Sequence, residues 1–195
     1  MKLSEKYKNK KILLASKSPR RQELLKGLDI EFEIADIIDI NEEFPTNLKA
    51  EEIASYLSEL KAQAYIENIK QNEILITADT IVWHNNRVLN KPKDRAEAYK
   101  MISALSGDKH MVYTGVTISS LEKQKTFVSG TKVYFKQLID DEIYYYIDNY
   151  KPFDKAGAYG IQEWIGYIGI EKIEGSYFNV MGLPVQKLYD ELLSF

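Results

Sequence analysis

The sequence contains no cysteine. That excludes a disulfide scaffold, a cysteine nucleophile, thiolate–zinc sites and iron–sulfur clusters. Long hydrophobic runs are missing as well. The longest unbroken apolar stretch is Ile143-Tyr-Tyr-Tyr-Ile147, far below the ~20 residues of a membrane-spanning helix. After the lysine-rich start MKLSEKYKNKK only Ile12-Leu-Leu-Ala15 precedes polar residues, too short for the roughly 7–15-residue core of a secretory signal. The expectation is a cytoplasmic protein with no membrane partner. A basic excess is also absent: 26 Lys and Arg stand against 29 Asp and Glu, a net charge of −3. A general nucleic-acid coat, which needs a broad basic surface, is therefore excluded. The two histidines, His84 and His110, have neither HxxxH nor HExxH spacing, which argues against zinc. There is no Gly-x-Ser-x-Gly elbow and no Gly-x4-Gly-Lys loop, so neither a serine hydrolase nor a Walker-type phosphate loop is indicated.

What remains is an ordinary globular composition, 45% hydrophobic and 28% charged over 195 residues. A chain of that size buries about 70% of its unfolded surface and needs no staple. Residues 1–10 read as a solvated lead-in and 11–195 as a single domain, with a hinge between two lobes near residues 85–110 as an option. Strand-like and helix-like patterns alternate, which points to a mixed α/β or α+β fold. Lys11–Ser16 reads as a buried strand, and Ser18-Pro19 as a helix start with Gly27 as its stop. Ile30–Ile38 alternates like a half-exposed strand. Residues 49–70 form an amphipathic helix with Ile53, Leu57, Leu60 and Ala64 on one face. Ile74–Trp83 reads as a strand, Asn85-Asn86 as a hairpin turn, and Asp94 with Glu97 as a capping box. Paired strands over 111–121 and 126–138, a helix capped by Asp140, a glycine-rich irregular region over 151–183 and a helix from Pro184 complete the reading.

Two places carry chemistry on residue type alone. At Ser16-Lys-Ser-Pro-Arg20-Arg21 a strand runs into a helix start, where backbone N–H groups and the helix dipole favour an anion. Two arginines there are unfavourable, by about 0.3–1 kcal/mol each, unless an anion compensates them. A phosphate group suits them, because arginine binds phosphate oxygens in a planar fork; solvated surface arginines are the plain alternative. The second place is Asp79, a carboxylate within an apolar strand, which is costly to bury unless paired or metal-bound. It is a candidate metal ligand or proton acceptor, or an edge-strand aspartate facing water. Lys61 at the margin of an apolar helix face reads as a snorkelling lysine. Lys91 sits in a turn, and Glu42-Glu43 is a loop acidic pair able to ligate a metal. The fourteen tyrosines, Tyr144–Tyr146 among them, read as core and rim, and those left exposed are candidates for a homodimer interface.

A run of motifs connects these places. Leu14-Ala-Ser-Lys-Ser-Pro-Arg-Arg-Gln-Glu-Leu-Leu25, Lys61-Ala62, Ala78-Asp-Thr-Ile-Val82, Leu89-Asn-Lys-Pro92, Leu105-Ser-Gly107 with His110, Thr114-Gly-Val116, Asp154-Lys-Ala-Gly-Ala-Tyr-Gly-Ile-Gln162 and Glu174-Gly-Ser-Tyr-Phe-Asn-Val-Met-Gly-Leu-Pro184 follow one another in the order of a known family. The chain resembles the Maf family of nucleoside triphosphate pyrophosphatases from residue 11 onward. The resemblance implies an elongated mixed β-sheet flanked by helices, of Maf/ITPase-like type, with two lobes and a central cleft. It implies hydrolysis of a nucleoside triphosphate to the monophosphate and pyrophosphate, with a divalent cation, magnesium or manganese, as cofactor.

By the same resemblance Asp79 is the proton acceptor, and Arg20, Thr80 and Gln162 bear on substrate choice. Ser16, Arg21, Glu42, Lys61 and Lys91 match positions lining the cleft, with Glu42 and Asp79 as the metal candidates. Asp-Thr at 79–80 resembles the dTTP/UTP subgroup, whereas Asp-Gln marks the subgroup acting on 7-methyl-GTP. Three positions depart from the family pattern: Asn41 before Glu42, Asn90 before Lys91, and Glu163-Trp164 where a glycine usually follows the glutamine. The last pair is expected to narrow the cleft and alter base selection, which keeps modified purine nucleotides open as substrates. A regulator that holds nucleotide without turnover, linked to cell division, is the alternative from another class. The charge also sharpens. Residues 1–11 hold five lysines and Glu5, so the remainder of the chain carries −7. Arg20, Arg21, Lys61 and Lys91 are then expected to converge, with a divalent cation supplying the missing positive charge.

Overall fold

The computed structural model describes residues 2–195. Its elements in chain order are α1 (Leu3–Lys6), β1 (Lys11–Leu14), α2 (Pro19–Lys26), β2 (Glu33–Ile34), α3 (Glu51–Gln63), β3 (Glu73–His84), β4 (Arg87–Leu89), α4 (Arg95–Leu105), β5 (Lys109–Ser119), β6 (Gln124–Phe135), α5 (Asp140–Tyr150), α6 (Trp164–Gly169), β7 (Ile170–Glu174), α7 (Tyr177–Met181) and α8 (Val185–Ser194). Short 3-10 turns lie at Ile66–Asn68 and Ala156–Ala158. The strands hydrogen-bond in the order β2-β1-β3-β5-β6-β7, with β4 on β3. Strand β1 is parallel to β2 and β3, while β3–β4 and β6–β7 are antiparallel. The sheet is thus mixed, as expected.

The single domain expected from residue 11 resolves into two compact units. The first comprises the chain up to Asp79, Thr114–Ser129 and Gly182–Phe195; the second comprises Thr80–Tyr113 and Gly130–Met181. The boundaries fall inside β3, β5 and β6 and before Gly182 rather than at a hinge near residues 85–110. The cause is that β3, β5 and β6 are long enough for each to take part in both units.

In the first unit, residues 3–7 correct the expectation of a solvated lead-in. Leu3 and Tyr7 are buried. The Tyr7 hydroxyl donates to Leu192 O at 2.6 Å, and Lys6 Nζ donates to Leu192 O at 3.0 Å and Leu193 O at 2.6 Å. The last carbonyls of a helix have no partner within it, and a cation at that end also matches the helix dipole. The start of the chain therefore serves as the C-terminal cap of α8. Burial pushes the Tyr7 hydroxyl up to about 12.

Helix α3 lies on the sheet through hydroxyls. Thr77 Oγ1 donates to Ser58 O at 2.7 Å, and the Ser58 and Thr117 hydroxyls are 2.9 Å apart. The helix also comes within touching distance of β5, since a Cβ built at Gly115 would lie 2.1 Å from Ala54 O. Two local expectations fail here. Most of 30–38 is irregular, because β2 is an edge strand with β1 as its sole partner and Ile34 is left exposed. Helix α3 stops at Gln63 and the chain tightens through the 3-10 turn before Ile69 is buried.

The second unit has its own apolar cluster, built from Val82, Ile102, Leu105, Val133, Phe135, Ile143, Tyr146, Ile147, Tyr159 and Ile165 among others. Asn85 and Asn86 both take positive φ, 49° and 58°, as a two-residue hairpin turn of this twist requires. Asp94 caps α4 by accepting from Glu97 N at 2.8 Å. Glu97 completes the turn on Lys93 N at 2.6 Å rather than on the cap residue. Asp140 is not a cap: Glu142 accepts from Ile139 N at 3.1 Å, and Asp140 accepts from the Tyr99 hydroxyl at 2.7 Å.

His110 is buried, its Nε2 lies 2.7 Å from the Tyr159 hydroxyl, and its ring sits against Phe135. Burial pushes the imidazole down to about 3; His84 lowers it further and Asp108 opposes.

Replacing Gly115 by Ala forces a methyl group onto the α3 backbone and is expected to destabilise the fold by about 1–3 kcal/mol or more, read by calorimetric or denaturant unfolding. The unfolded chain protonates His110 near pH 6.5, whereas the native state resists protonation until about pH 3. The neutral ring's contribution is therefore complete above pH 6.5 and is lost as pH falls from there. The unfolding free energy of His110→Gln should show a shallower slope between pH 6.5 and 5, by up to about 1.4 kcal/mol per pH unit.

Candidate active site

Strand β1 is followed by the small residues Ala15 and Ser16, both buried. Ser16 Oγ accepts from Ser18 N at 3.2 Å, and Ser16 O accepts from Gln22 Nε2 at 3.2 Å. The turn into α2 is thereby fixed by the serine at its base. Ser18 is the N-cap and Pro19 occupies the first turn, as read from the sequence; no acidic residue is present there. Leu24 and Leu25 bury the far side of the helix and so leave Arg20 and Arg21 at its start.

Arg21 is half-buried. Its Nε donates to Gly182 O at 2.8 Å. Burial lowers its pKa, Asp79 raises it, Arg20 lowers it and Glu42 raises it again. The charges acting on Arg21 are thus other candidate site residues. A carbonyl that holds Nε fixes the plane of the guanidinium. Nothing in the sequence pointed to Gly182 as this anchor, since the partner lies 161 residues along the chain.

Lys61 closes the group. It stands in the last turn of α3, and its Nζ donates to Asp79 Oδ1 and lies 3.2 Å from Glu42 Oε1. The side chains of Lys61 and Asp79 are only 17% and 11% exposed, whereas that of Glu42 is 51% exposed. Lys61 therefore does not snorkel; it binds two carboxylates. Its placement follows from the hydroxyl contacts of α3. The Thr77–Ser58 bond pins the helix to β3 one turn before Lys61 and two strand residues before Asp79, and residues two apart share a face of a strand.

The first unit thus brings Ser16, Arg20, Arg21, Glu42, Lys61 and Asp79 into one region of the fold, with direct electrostatic coupling among Arg21, Arg20, Asp79, Glu42 and Lys61. Thr80, Lys91 and Gln162 belong to the second unit. Thr80 follows Asp79 in β3 and is half-buried, Lys91 is exposed after β4, and Gln162 is half-buried between Ile161 and Glu163. Of the four cations expected to converge, Arg20, Arg21 and Lys61 belong to the first unit and Lys91 to the second. Among the described residues no three His, Asp or Glu side chains gather as a metal set. The histidines are used otherwise, His84 Nε2 lying 2.9 Å from Asp108 Oδ2.

The departures at 163–164 also find their place. Glu163 contacts the Tyr146 hydroxyl and lies 3.1 Å from Lys155 Nζ. Trp164 packs against Tyr145, ring centroids 4.7 Å apart. Both turn toward elements of their own unit. Asn90 accepts from Gly157 N through its carbonyl at 3.2 Å, a role any residue could fill.

Known proteins share this arrangement of sequence. The family model described as Maf-like protein matches residues 11–195. A dTTP/UTP pyrophosphatase of Parabacteroides distasonis is 55% identical over 191 residues, 98% of this chain and 99% of its own. A protein of the same description from Flavobacterium johnsoniae is 53% identical over 190 residues, 97% of each chain. Among solved structures, a HAM1 protein from Coxiella burnetii aligns with a TM-score of 0.41 and 16% identity over 65% of this chain and 73% of its own, too distant to bear on activity. With a family match spanning both units and relatives above 50% identity end to end, the chain belongs to the Maf family.

Proposed function

We propose that this chain hydrolyses dTTP and UTP to the nucleoside monophosphate and pyrophosphate. The observation that carries the proposal is the Lys61–Asp79 pair set beside Arg21 and Glu42 in the first unit. Relatives more than 50% identical over nearly their whole length carry the description dTTP/UTP pyrophosphatase, which supports the substrate.

The reaction transfers the α-phosphoryl group to water. The oxygen of water forms a bond to the α-phosphorus, the bond to the bridging α–β oxygen breaks, and pyrophosphate leaves with the electron pair. We assign Asp79 as the acceptor of the water proton, since a positioned carboxylate is competent for that step. Arg20, Arg21, Lys61 and Lys91 are assigned to the polyphosphate, where fixed cations stabilise charge that grows in the transition state. Ser16 is assigned to the strand–helix turn that presents the arginines. Thr80 and Gln162 each carry a donor and an acceptor and are assigned to the choice of base.

A divalent cation, magnesium or manganese, is part of the proposal. Asp79 and Glu42 offer two hard carboxylates that already share one positive charge, that of Lys61. Two carboxylates with substrate oxygens and waters form a common magnesium set, so the residues present fit it. Bound there, the ion would polarise phosphoryl oxygens and neutralise charge on the leaving pyrophosphate. The proposal includes a cytoplasmic site of action, where nucleoside triphosphate is available; no helix among the described residues is long and apolar enough to cross a membrane.

Asp79→Asn should lower kcat for dTTP by about 10²–10⁴-fold with the fold intact by circular dichroism; unchanged pyrophosphate release would remove Asp79 from the chemistry. Chelation should abolish turnover, and added magnesium or manganese should restore it. Across a panel of triphosphates, Thr80→Gln and Gln162→Ala should each reduce the ratio of kcat/KM for dTTP over the purine nucleotides by about tenfold.

A further inference from the structure

The second unit contains a buried polar cluster with no assigned role. Lys155 is buried, its side chain 9% exposed, and that of Glu163 is 20% exposed. Lys155 Nζ lies 3.1 Å from Glu163 Oε1 and donates to Asp154 Oδ1 at 2.7 Å. The other carboxylate oxygen of Glu163 accepts from the hydroxyl of Tyr146, a residue of α5 with no exposed surface. That hydroxyl in turn accepts from Gly160 N at 3.0 Å. Each group is used consistently: the tyrosine gives its single proton to the carboxylate and receives the amide proton.

The carboxylate also covers Gly160. A Cβ built at Gly160 would lie 2.9 Å from Glu163 Cδ and Oε2, so a side chain there would push the carboxylate off this position. Two further positions show how tightly the segment is wound. Gly157 and Ala158 both take positive φ, 69° and 60°, and a Cβ at Gly166 would meet Ile161 O at 1.8 Å. Gln162 sits between the two tied points: Gly160 is held by Tyr146, and Glu163 by Tyr146 and Lys155. Its backbone has little room to shift while those bonds hold.

We propose that Glu163 is a positioning residue for base selection: by tying Lys155 and Tyr146 together over Gly160 it fixes the backbone that presents Gln162. The role of Gln162 in base choice rests on the function proposed above; the latch itself rests on the contacts of Glu163. A side chain one residue away thus sets the precision of a specificity contact without touching substrate. Its two partners, the Lys155 ammonium and the neutral Tyr146 hydroxyl, are both buried, so its removal leaves the ammonium with one fewer counter-charge and the hydroxyl without its acceptor.

The test compares wild type, Glu163→Ala and Glu163→Gln, with dTTP, UTP, dATP and dGTP as substrates and hydrogen exchange of the 155–163 segment as a second readout. Glu163→Ala should raise KM for dTTP and UTP about tenfold, reduce the pyrimidine-to-purine ratio of kcat/KM similarly, and speed amide exchange across 155–163 while α5 stays protected. Glu163→Gln keeps an acceptor for Tyr146 and loses the charge; it should fall between the two and answers the question should the alanine variant fail to fold. A folded variant with wild-type exchange and an unchanged base ratio would overturn the role of Glu163. A wild-type enzyme without pyrimidine preference would instead overturn the substrate reading, and with it the link from the latch to base choice.

Discussion

One ammonium group organises the chemistry of the first unit. Asp79 lies in a strand whose neighbours Ile76, Thr77, Ala78 and Ile81 are buried, and a carboxylate there is tolerated only with a partner. Lys61 is that partner, and it brings the exposed Glu42 with it. Removing Lys61 would take the ion-pair partner from the Asp79 carboxylate, a loss that costs about 3–5 kcal/mol in buried pairs, whereas without Asp79 the ammonium keeps Glu42. The pair is therefore a constraint on the fold as well as a part of the site: helix α3 must sit in the register that delivers Lys61. The hydroxyls of Thr77, Ser58 and Thr117 and the bare backbone at Gly115 set that register.

The second unit solves a similar problem differently. Lys155 likewise stands between two carboxylates, Asp154 and Glu163, but here a tyrosine hydroxyl and a backbone amide join the cluster. Where Lys61 joins a helix, a strand and a loop, Lys155 and Glu163 join two ends of one short loop to helix α5. The first arrangement gathers charge for a polyanion; the second stiffens a segment. Both depend on glycines whose missing side chains let a backbone or a carboxylate approach, Gly115 in one and Gly160 in the other.

Much of the local structure was legible in the sequence because it depends on neighbours along the chain. Ser18-Pro19 marked the start of α2, Asn85-Asn86 the hairpin turn, and Asp94 the cap of α4, each through chemistry confined to a few residues. Failures clustered where the deciding partner is distant. Residues 3–7 looked solvated because the α8 carbonyls that Lys6 and Tyr7 cap lie some 185 residues away. Residues 30–38 alternated like a strand, yet an edge with one partner sustains only two residues of pairing. The contacts of Glu163 were not legible either, since neither its ion pair with Lys155 nor its bond to Tyr146 is written in the local pattern.

The sequence by itself determined the family, the mixed fold and the residue types at the site, since ordered motifs and periodic patterns are properties of the linear chain. Only the tertiary structure decided how those residues are used. It turned Lys61 from a snorkelling side chain into the bridge between Asp79 and Glu42, anchored Arg21 on the carbonyl of Gly182, and folded Glu163 back over Gly160. The reason is physical. Desolvation and the geometry of close contact depend on which groups meet in space, and sequence separation does not say which those are: Glu163 meets Gly160 three residues away, whereas Arg21 meets Gly182 across 161.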